Sequence, residues 1–286
     1  MWIIYALASA FFAGSTSFLA KIGLKDTDSN LATALRTIVV AIFAWVVVFA
    51  VGSQNTIAHI PAKSLVFLIL SGLATGGSWL CYFRALQIGD VNKVVPVDKS
   101  SIILTMLLSF ILLNEGLTWL KAAAMVFIGT GTYLMIDRKE STADHHNGNK
   151  WLMYAVLSAV FASLTAILGK IGIADVESNL GTAIRTMVVL VMAWMIVLMQ
   201  GKQYKIKNID KKSWFFIGMS GLATGLSWLC FYRALQGGPV SVVVPLDKLS
   251  ILITVALSIF FLHESLKKKQ AAGLILIVIG TLSLLI

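Results

Sequence analysis

Apolar runs of about twenty residues follow one another along the whole chain, separated by short polar stretches. They fall near 2–20, 31–51, 65–87, 94–113 and 121–137, then near 151–169, 180–199, 214–236, 243–262 and 270–286. About twenty apolar residues suffice to cross a bilayer as a helix. The run 122–136 is apolar without alternation, which excludes the dyad pattern of a membrane barrel strand. The pattern therefore predicts an all-α polytopic membrane protein of ten helices. Trp2 to Ala20 has the look of a signal peptide, but its pattern returns in mid-chain at 151–169, so a retained helix is expected.

The second five runs repeat the first five. Placing 1–137 over 150–286 without a gap makes roughly half of the positions identical. Trp2 meets Trp151, Lys21 meets Lys170, Arg36 meets Arg185, and Ser71-Gly72-Leu73-Ala74-Thr75-Gly76 meets Ser220 to Gly225. The organisation expected is a five-helix repeat over 1–137, a polar linker over 138–149 and a second five-helix repeat over 150–286. Five is odd, so if every run spans, the second repeat enters the membrane inverted. Inverted repeats are common in secondary transporters, with the substrate site at their interface.

Charge sharpens the picture. The chain of 286 residues is 58% hydrophobic, 13% charged and carries a net charge of +10, with a mean hydropathy of +0.88. Its lysines gather in short loops, among them Lys202, Lys205, Lys207, Lys211 and Lys212, and Lys267 to Lys269. Such loops match cytoplasmic loops of a membrane protein better than a nucleic-acid face, and nucleic acid is not an expected partner. The lysine and arginine bias places both termini outside, weakly in the first repeat. Cys81 and Cys230 occupy equivalent apolar positions, which suits small buried hydrophobes rather than a disulfide. His59, His145, His146 and His263 lie in loops without metal-ligand spacing, so neither metal nor cofactor is expected. There is no Ser/His/Asp set and no nucleotide loop, and the chain is expected not to be an enzyme.

The stretch with the most chemistry is Val94-Val95-Pro96-Val97-Asp98-Lys99, which returns as Val243-Val244-Pro245-Leu246-Asp247-Lys248. Charges at membrane depth cost a few kcal/mol each and usually face a cavity or partner. Prolines at matching places in two halves point to a transporter's binding site. Lys99 and Lys248 are expected to begin the fourth helices, where free N–H groups also favour an anion. Asp98 and Asp247 then point about 100° away from the neighbouring lysines. They suit structural ion pairs with Arg84 or Arg233, or an amino group or a coupling proton.

The third-helix ends Tyr82-Phe83-Arg84-Ala85-Leu86 and Phe231 to Leu235, the Val-Val-Pro stretches, and Gly129-Thr130-Gly131 with Gly280-Thr281 together resemble the EamA-type transporters of the drug/metabolite transporter superfamily. Leu113-Asn114-Glu115 and Leu262-His263-Glu264 are similar to that family's Leu-Gly-Glu, with the glycine replaced in both. The resemblance covers both repeats. It implies a ten-helix bundle of two inverted five-helix repeats around a central cavity, carrying metabolites such as amino acids, sugars or nucleotide-linked compounds.

Arg84 and Arg233 can hold a carboxylate or phosphate through paired hydrogen bonds, or snorkel to the interface. Arg36 and Arg185, near helix ends, are expected as interfacial anchors, as are Lys21 and Lys170. Glu115 and Glu264 are expected as solvated or capping carboxylates, with proton coupling a second role. Trp79 and Trp228 can stack on a ligand or simply pack. Gly72, Gly76, Gly221 and Gly225 offer small faces for close helix packing. The function expected is secondary transport of a small polar metabolite across the cell membrane by alternating access, an amino acid or other carboxylate suiting the charges best. Membrane lipids and the small substrate are the partners, and the chain would act as a monomer or homodimer. A flippase for lipid-linked head groups and a non-transporting scaffold subunit are the alternatives.

Overall fold

The computed structural model describes residues 1–23, 27–88, 91–135, 150–263 and 267–285. The expected linker 138–149 and Glu264 lie outside them, and so does Lys25. The described residues are almost entirely helical and contain no strand. In chain order the helices are α1 (Trp2–Gly23), α2 (Ser29–Val51), α3 (Ala62–Ile88), α4 (Val91–Lys99), α5 (Ser101–Leu112) and α6 (Trp119–Met135). The second half supplies α7 (Lys150–Gly172), α8 (Ser178–Met199), α9 (Lys211–Gly237), α10 (Val240–Asp247), α11 (Ser250–Leu262) and α12 (Lys268–Ser283). Among the described residues seven segments are long and apolar enough to cross a membrane: Trp2–Ala20, Ser29–Val51, Ala62–Leu86, Lys150–Gly172, Ser178–Met199, Lys211–Gly237 and Val240–Phe261.

The fourth apolar run of each repeat departs from expectation. It starts three residues earlier, at Val91 and Val240, and it is broken, between α4 and α5 and between α10 and α11. Proline inside a helix has no N–H to give and crowds the carbonyl four residues back. Pro245 lies inside α10, which closes in a tightened turn: the Lys248 N–H bonds the carbonyls of Val244 at 3.3 Å and Pro245 at 3.0 Å. Lys99 and Lys248 thus end the first half-helices rather than starting the fourth helices. A cation is favoured there too, by the negative end of the helix dipole.

Local chemistry fixes the other helix ends. Asp28 caps α2 by accepting from the N–H groups of Asn30 (3.1 Å) and Leu31 (3.3 Å), Glu177 caps α8 through Leu180 (2.9 Å), and Asp210 caps α9 through Lys212 (3.1 Å) and Ser213 (3.2 Å). Burial alone would raise the Asp28 carboxyl, but the hydrogen bond and charge of Lys202 and the two amides hold it below its ordinary value. Asn114 and His263 adopt positive φ angles of 52° and 53°, at the two places where the resembled motif carries glycine. Asparagine and histidine are among the side chains that tolerate that region best.

The helices fall into two compact units, and each unit draws on both repeats. One holds Met1–Leu73, Leu168–Gly238 and Ser250–Glu264. In it α1 lies antiparallel on α9, with the Ser9 and Ser227 hydroxyls 3.2 Å apart, Thr224 donating to Thr16 at 3.3 Å, and Trp2 against Gly237. Here α2 and α8 also run antiparallel. The Asn30 amide donates to the Gln200 carboxamide at 2.6 Å at one end, and Val48 clusters with Val176 and Leu180 at the other. Gly221 lets α9 approach α2 so closely that a Cβ there would stand 2.7 Å from Val39.

The other unit holds Ala74–Ile167, Pro239–Leu249 and Ser265–Ile286. Here Ser78 and Ser158 hydroxyls meet at 3.3 Å and those of Thr75 and Thr165 at 3.2 Å, joining α3 to α7. These are the counterparts of Ser227 with Ser9 and Thr224 with Thr16 when the repeats are exchanged. α6 crosses α12 antiparallel through Gly131 and Gly273, where an added Cβ at 131 would lie 2.5 Å from the Gly273 carbonyl. In lipid, where apolar side chains gain nothing by meeting, such close backbone approach is a main source of helix association.

Candidate functional site

The second of these units collects Trp79, Arg84, Asp98, Lys99, Glu115, Asp247 and Lys248. Asp98 and Lys99 sit at the end of α4, and Asp247 and Lys248 at the end of α10. Both prolines lie just upstream, and the breaks leave the charges between half-helices. Lys99 has half of its side chain exposed (51%), Asp98 little (15%). Lys248 is exposed and close enough to Lys99 for the two charges to repel, and Asp247 is half-buried.

Asp98 takes its short hydrogen bond from Ser158 at 2.6 Å, while Lys99 Nζ stands 3.8 Å from its other oxygen. The sequence had the carboxylate pointing away from its neighbour. Both residues lie within α4, and the long lysine side chain reaches back to the carboxylate across the step of about 100° between them. At 3.8 Å the pair is an ion contact beyond hydrogen-bonding distance. Ser158 is itself held by Ser78, whose hydroxyl donates to the Ser158 backbone carbonyl at 3.1 Å. Trp79 is half-buried on α3, and Arg84 is exposed near that helix's end.

Trp228 and Arg233 belong to the first unit. Arg233 is exposed and donates to the Gln236 carboxamide at 2.9 Å, and Gln236 in turn donates to the carbonyls of Ile173 (2.9 Å) and Val176 (2.8 Å). Trp228 packs over a guanidinium instead of an open site. That guanidinium is Arg185, only 3% exposed, lying 5.2 Å from the Trp228 ring and 4.9 Å from the Tyr232 ring, with Nε donating to Ser71 at 3.0 Å. Gly169 makes the room: a Cβ there would be 2.7 Å from the Tyr232 ring and 3.2 Å from the Ser71 hydroxyl.

Two expectations are corrected here. Arg185 is no interfacial anchor, because it is enclosed and its charge is met by two aromatic faces and a hydroxyl. Its repeat mate Arg36 is half-buried. Lys170 does not snorkel either. Its ammonium donates to the last carbonyls of α9, those of Leu235, Gln236 and, at 2.9 Å, Gly238. Glu115 caps, but not its own helix. Its two oxygens accept the N–H groups of Val240 (2.5 Å) and Ser241 (2.9 Å), opening α10. The enclosed arginine had a sequence signal, Trp228 and Tyr232 four residues apart on one helix face. The roles of Ser158 and Lys170 had none: the first depends on pairing between repeats, and the second on how α7 packs against the end of α9 within one repeat.

A helical chain with seven segments able to span a bilayer and charged residues at helix breaks is an integral membrane protein. The EamA-like transporter family matches residues 1–137 and 149–286, so the chain belongs to that family and is a membrane transporter. An uncharacterized transporter from the cobO 3′ region of a Sinorhizobium species is 42% identical over 134 residues, 47% of this chain and 95% of that protein. That relative is therefore about one repeat long. A probable 4-amino-4-deoxy-L-arabinose-phosphoundecaprenol flippase subunit, ArnF, of Proteus mirabilis is 30% identical over 90 residues, 31% of this chain and 66% of its own. A solved crystal structure shares the fold, with a TM-score of 0.77 at 18% identity over 99% of this chain and 96% of its own.

Proposed function

We propose that the chain is a secondary transporter of ten membrane-crossing helices in two inverted five-helix repeats, moving a small anionic or zwitterionic metabolite across the cell membrane by alternating access. Three further spans would be α4 with α5, α6 and α12. Antiparallel packing of equivalent helices, α2 on α8 and α6 on α12, supports inversion. So does a relative of single-repeat length. Substrate would meet the cations Lys99 and Lys248, helped by Arg84, with Asp98 and Asp247 taking an amino group or a coupling proton. Trp79 would offer a stacking face, and Glu115 and Glu264 would serve as further proton carriers.

The observation that carries this reading is the pair of lysines at matching helix breaks, within reach of each other's charge and both open to solvent. Half-helix ends in discontinuous helices are where transporters bind polar substrates. Two like charges held close gain most from a bound anion. Proteoliposomes loaded with unlabelled glutamate, alanine, succinate or glucose 6-phosphate test it through exchange with the labelled compound outside. Exchange of an anion or zwitterion that is lost in Lys99→Gln with Lys248→Gln supports the reading, and exchange unaffected by the double substitution contradicts it. The partial likeness to ArnF keeps a second reading open, movement of a lipid-linked head group. Exchange of none of the soluble compounds, with movement of a lipid-linked amino sugar, would favour it.

A further inference from the structure

The turn 237–239, Gly-Gly-Pro, joins α9 to α10, and its two sides are held by charges of opposite sign, each suited to the helix end that it meets. On the α9 side the Lys170 ammonium gathers the carbonyls of Leu235, Gln236 and Gly238. On the α10 side the Glu115 carboxylate takes the N–H groups of Val240 and Ser241, one on each oxygen. A cation on terminal carbonyls and an anion on leading amides each satisfy groups that a helix leaves without partners, and each complements the dipole. Glu115 comes from the other repeat, in the loop between α5 and α6. It is aimed by the positive φ of Asn114 and by its own N–H, which returns to the Ser109 carbonyl at 3.3 Å. Beside it the Ser241 hydroxyl is buried with no hydrogen-bond partner among the described residues. A buried hydroxyl without a partner is a cost that docking of α10 must offset. The docked position is thus held from outside the helix, against a penalty that release would relieve.

We propose that Glu115 is the latch of α10: a positioning residue that holds the half-helix carrying Asp247 and Lys248 in its docked place, and whose release lets that half-helix swing about the 237–239 turn. The proposal rests on the transport reading for its purpose, since α10 bears half of the charged pair. Its geometry stands apart from any substrate. Glu115 and Lys170 correspond in the repeat to Glu264 and Lys21, so the sequence carries the same pair of charges with the repeats exchanged.

The test needs no substrate. In a chain carrying Cys81→Ser and Cys230→Ser, a cysteine is placed by Ser241→Cys or, as a control, by Thr281→Cys in α12. Both positions are fully buried. Labelling by N-ethylmaleimide is timed in detergent. Glu115→Ala is expected to raise labelling at 241 at least about tenfold, the factor that one charge-assisted hydrogen bond amounts to. Labelling at 281 is expected to stay slow. Glu115→Gln, which keeps one neutral acceptor, is expected to fall between Ala and the parent. Labelling at 241 unchanged in Glu115→Ala overturns the latch. A Gln rate equal to the parent's overturns it too, and so does a parallel rise at 281, which marks general loosening. Failure of the transport reading would appear instead in the exchange assay, with the labelling pattern intact.

Discussion

Arg185 and Lys248 are both cations of the second repeat set in apolar surroundings, and the fold treats them in opposite ways. Arg185 is enclosed by Trp228, Tyr232 and Ser71 and is almost inaccessible. Lys248 is exposed at the break between two half-helices, facing the like charge of Lys99. The first is a cation packed against protein partners, and the second is one left open to solvent. Equal charge and similar hydropathy in sequence therefore carry different meanings. Packing partners decide which cation is enclosed and which is left exposed.

The largest expected effect breaks the enclosed side. Arg185→Ala should lower unfolding stability in detergent by about 3 kcal/mol, since it removes a packed side chain and its hydrogen bond to Ser71. Lys248→Ala, with an exposed side chain, should stay within about 0.5 kcal/mol. The open side breaks differently. Lys99→Gln with Lys248→Gln should keep apo stability but lose ligand stabilisation, worth about 2.7 kcal/mol at 100 times the dissociation constant. Asn114→Val should cost about 2 kcal/mol, because its φ of 52° suits no β-branched side chain, while Asn114→Gly should be neutral. Thermal unfolding of the two variants checks it.

Smaller effects sharpen the contrast. Tyr232→Phe restores the residue type of the first repeat, Phe83, and should cost about 1 kcal/mol through the hydroxyl that meets Ser71. Asp28→Asn should cost about 1 kcal/mol or less at neutral pH, the combined worth of a cap and a part-exposed ion pair with Lys202 at 2.7 Å. Its folded-state carboxyl titrates below its ordinary value near 3.8. The stabilisation it gives is therefore present above that value and fades as pH falls through the lower, folded one. Unfolding midpoints of wild type and Asp28→Asn should converge below about pH 3 and separate above about pH 5.

Much of this fold was legible in the pattern of apolar runs. Helices α1, α2, α3, α8 and α9 begin and end within a few residues of the runs that announce them. The repeat was legible as identity, and the Val-Val-Pro-x-Asp-Lys stretch as charge beside proline. The break after Lys99 and Asp247 was not, because hydropathy continues straight through it and only the nearby proline hints at it. The partner of Asp98 was also hidden. Ser158 is an ordinary serine in an apolar run until α7 is laid on α3. Glu115 was legible as a capping carboxylate, but the helix that it caps lies in the other repeat. Contacts between repeats follow from how the two halves interleave, and hydropathy carries no record of that.

The central claim is that Lys99 and Lys248 form a binding site while Arg185 forms structure. A thermal-stability screen of purified protein with glutamate, alanine, succinate, glucose 6-phosphate and choline tests it most directly. The account predicts that at least one anion or zwitterion raises the unfolding temperature of wild type and leaves that of Lys99→Gln with Lys248→Gln unmoved. Stabilisation by choline alone, or an anion effect that survives the double substitution, would contradict it.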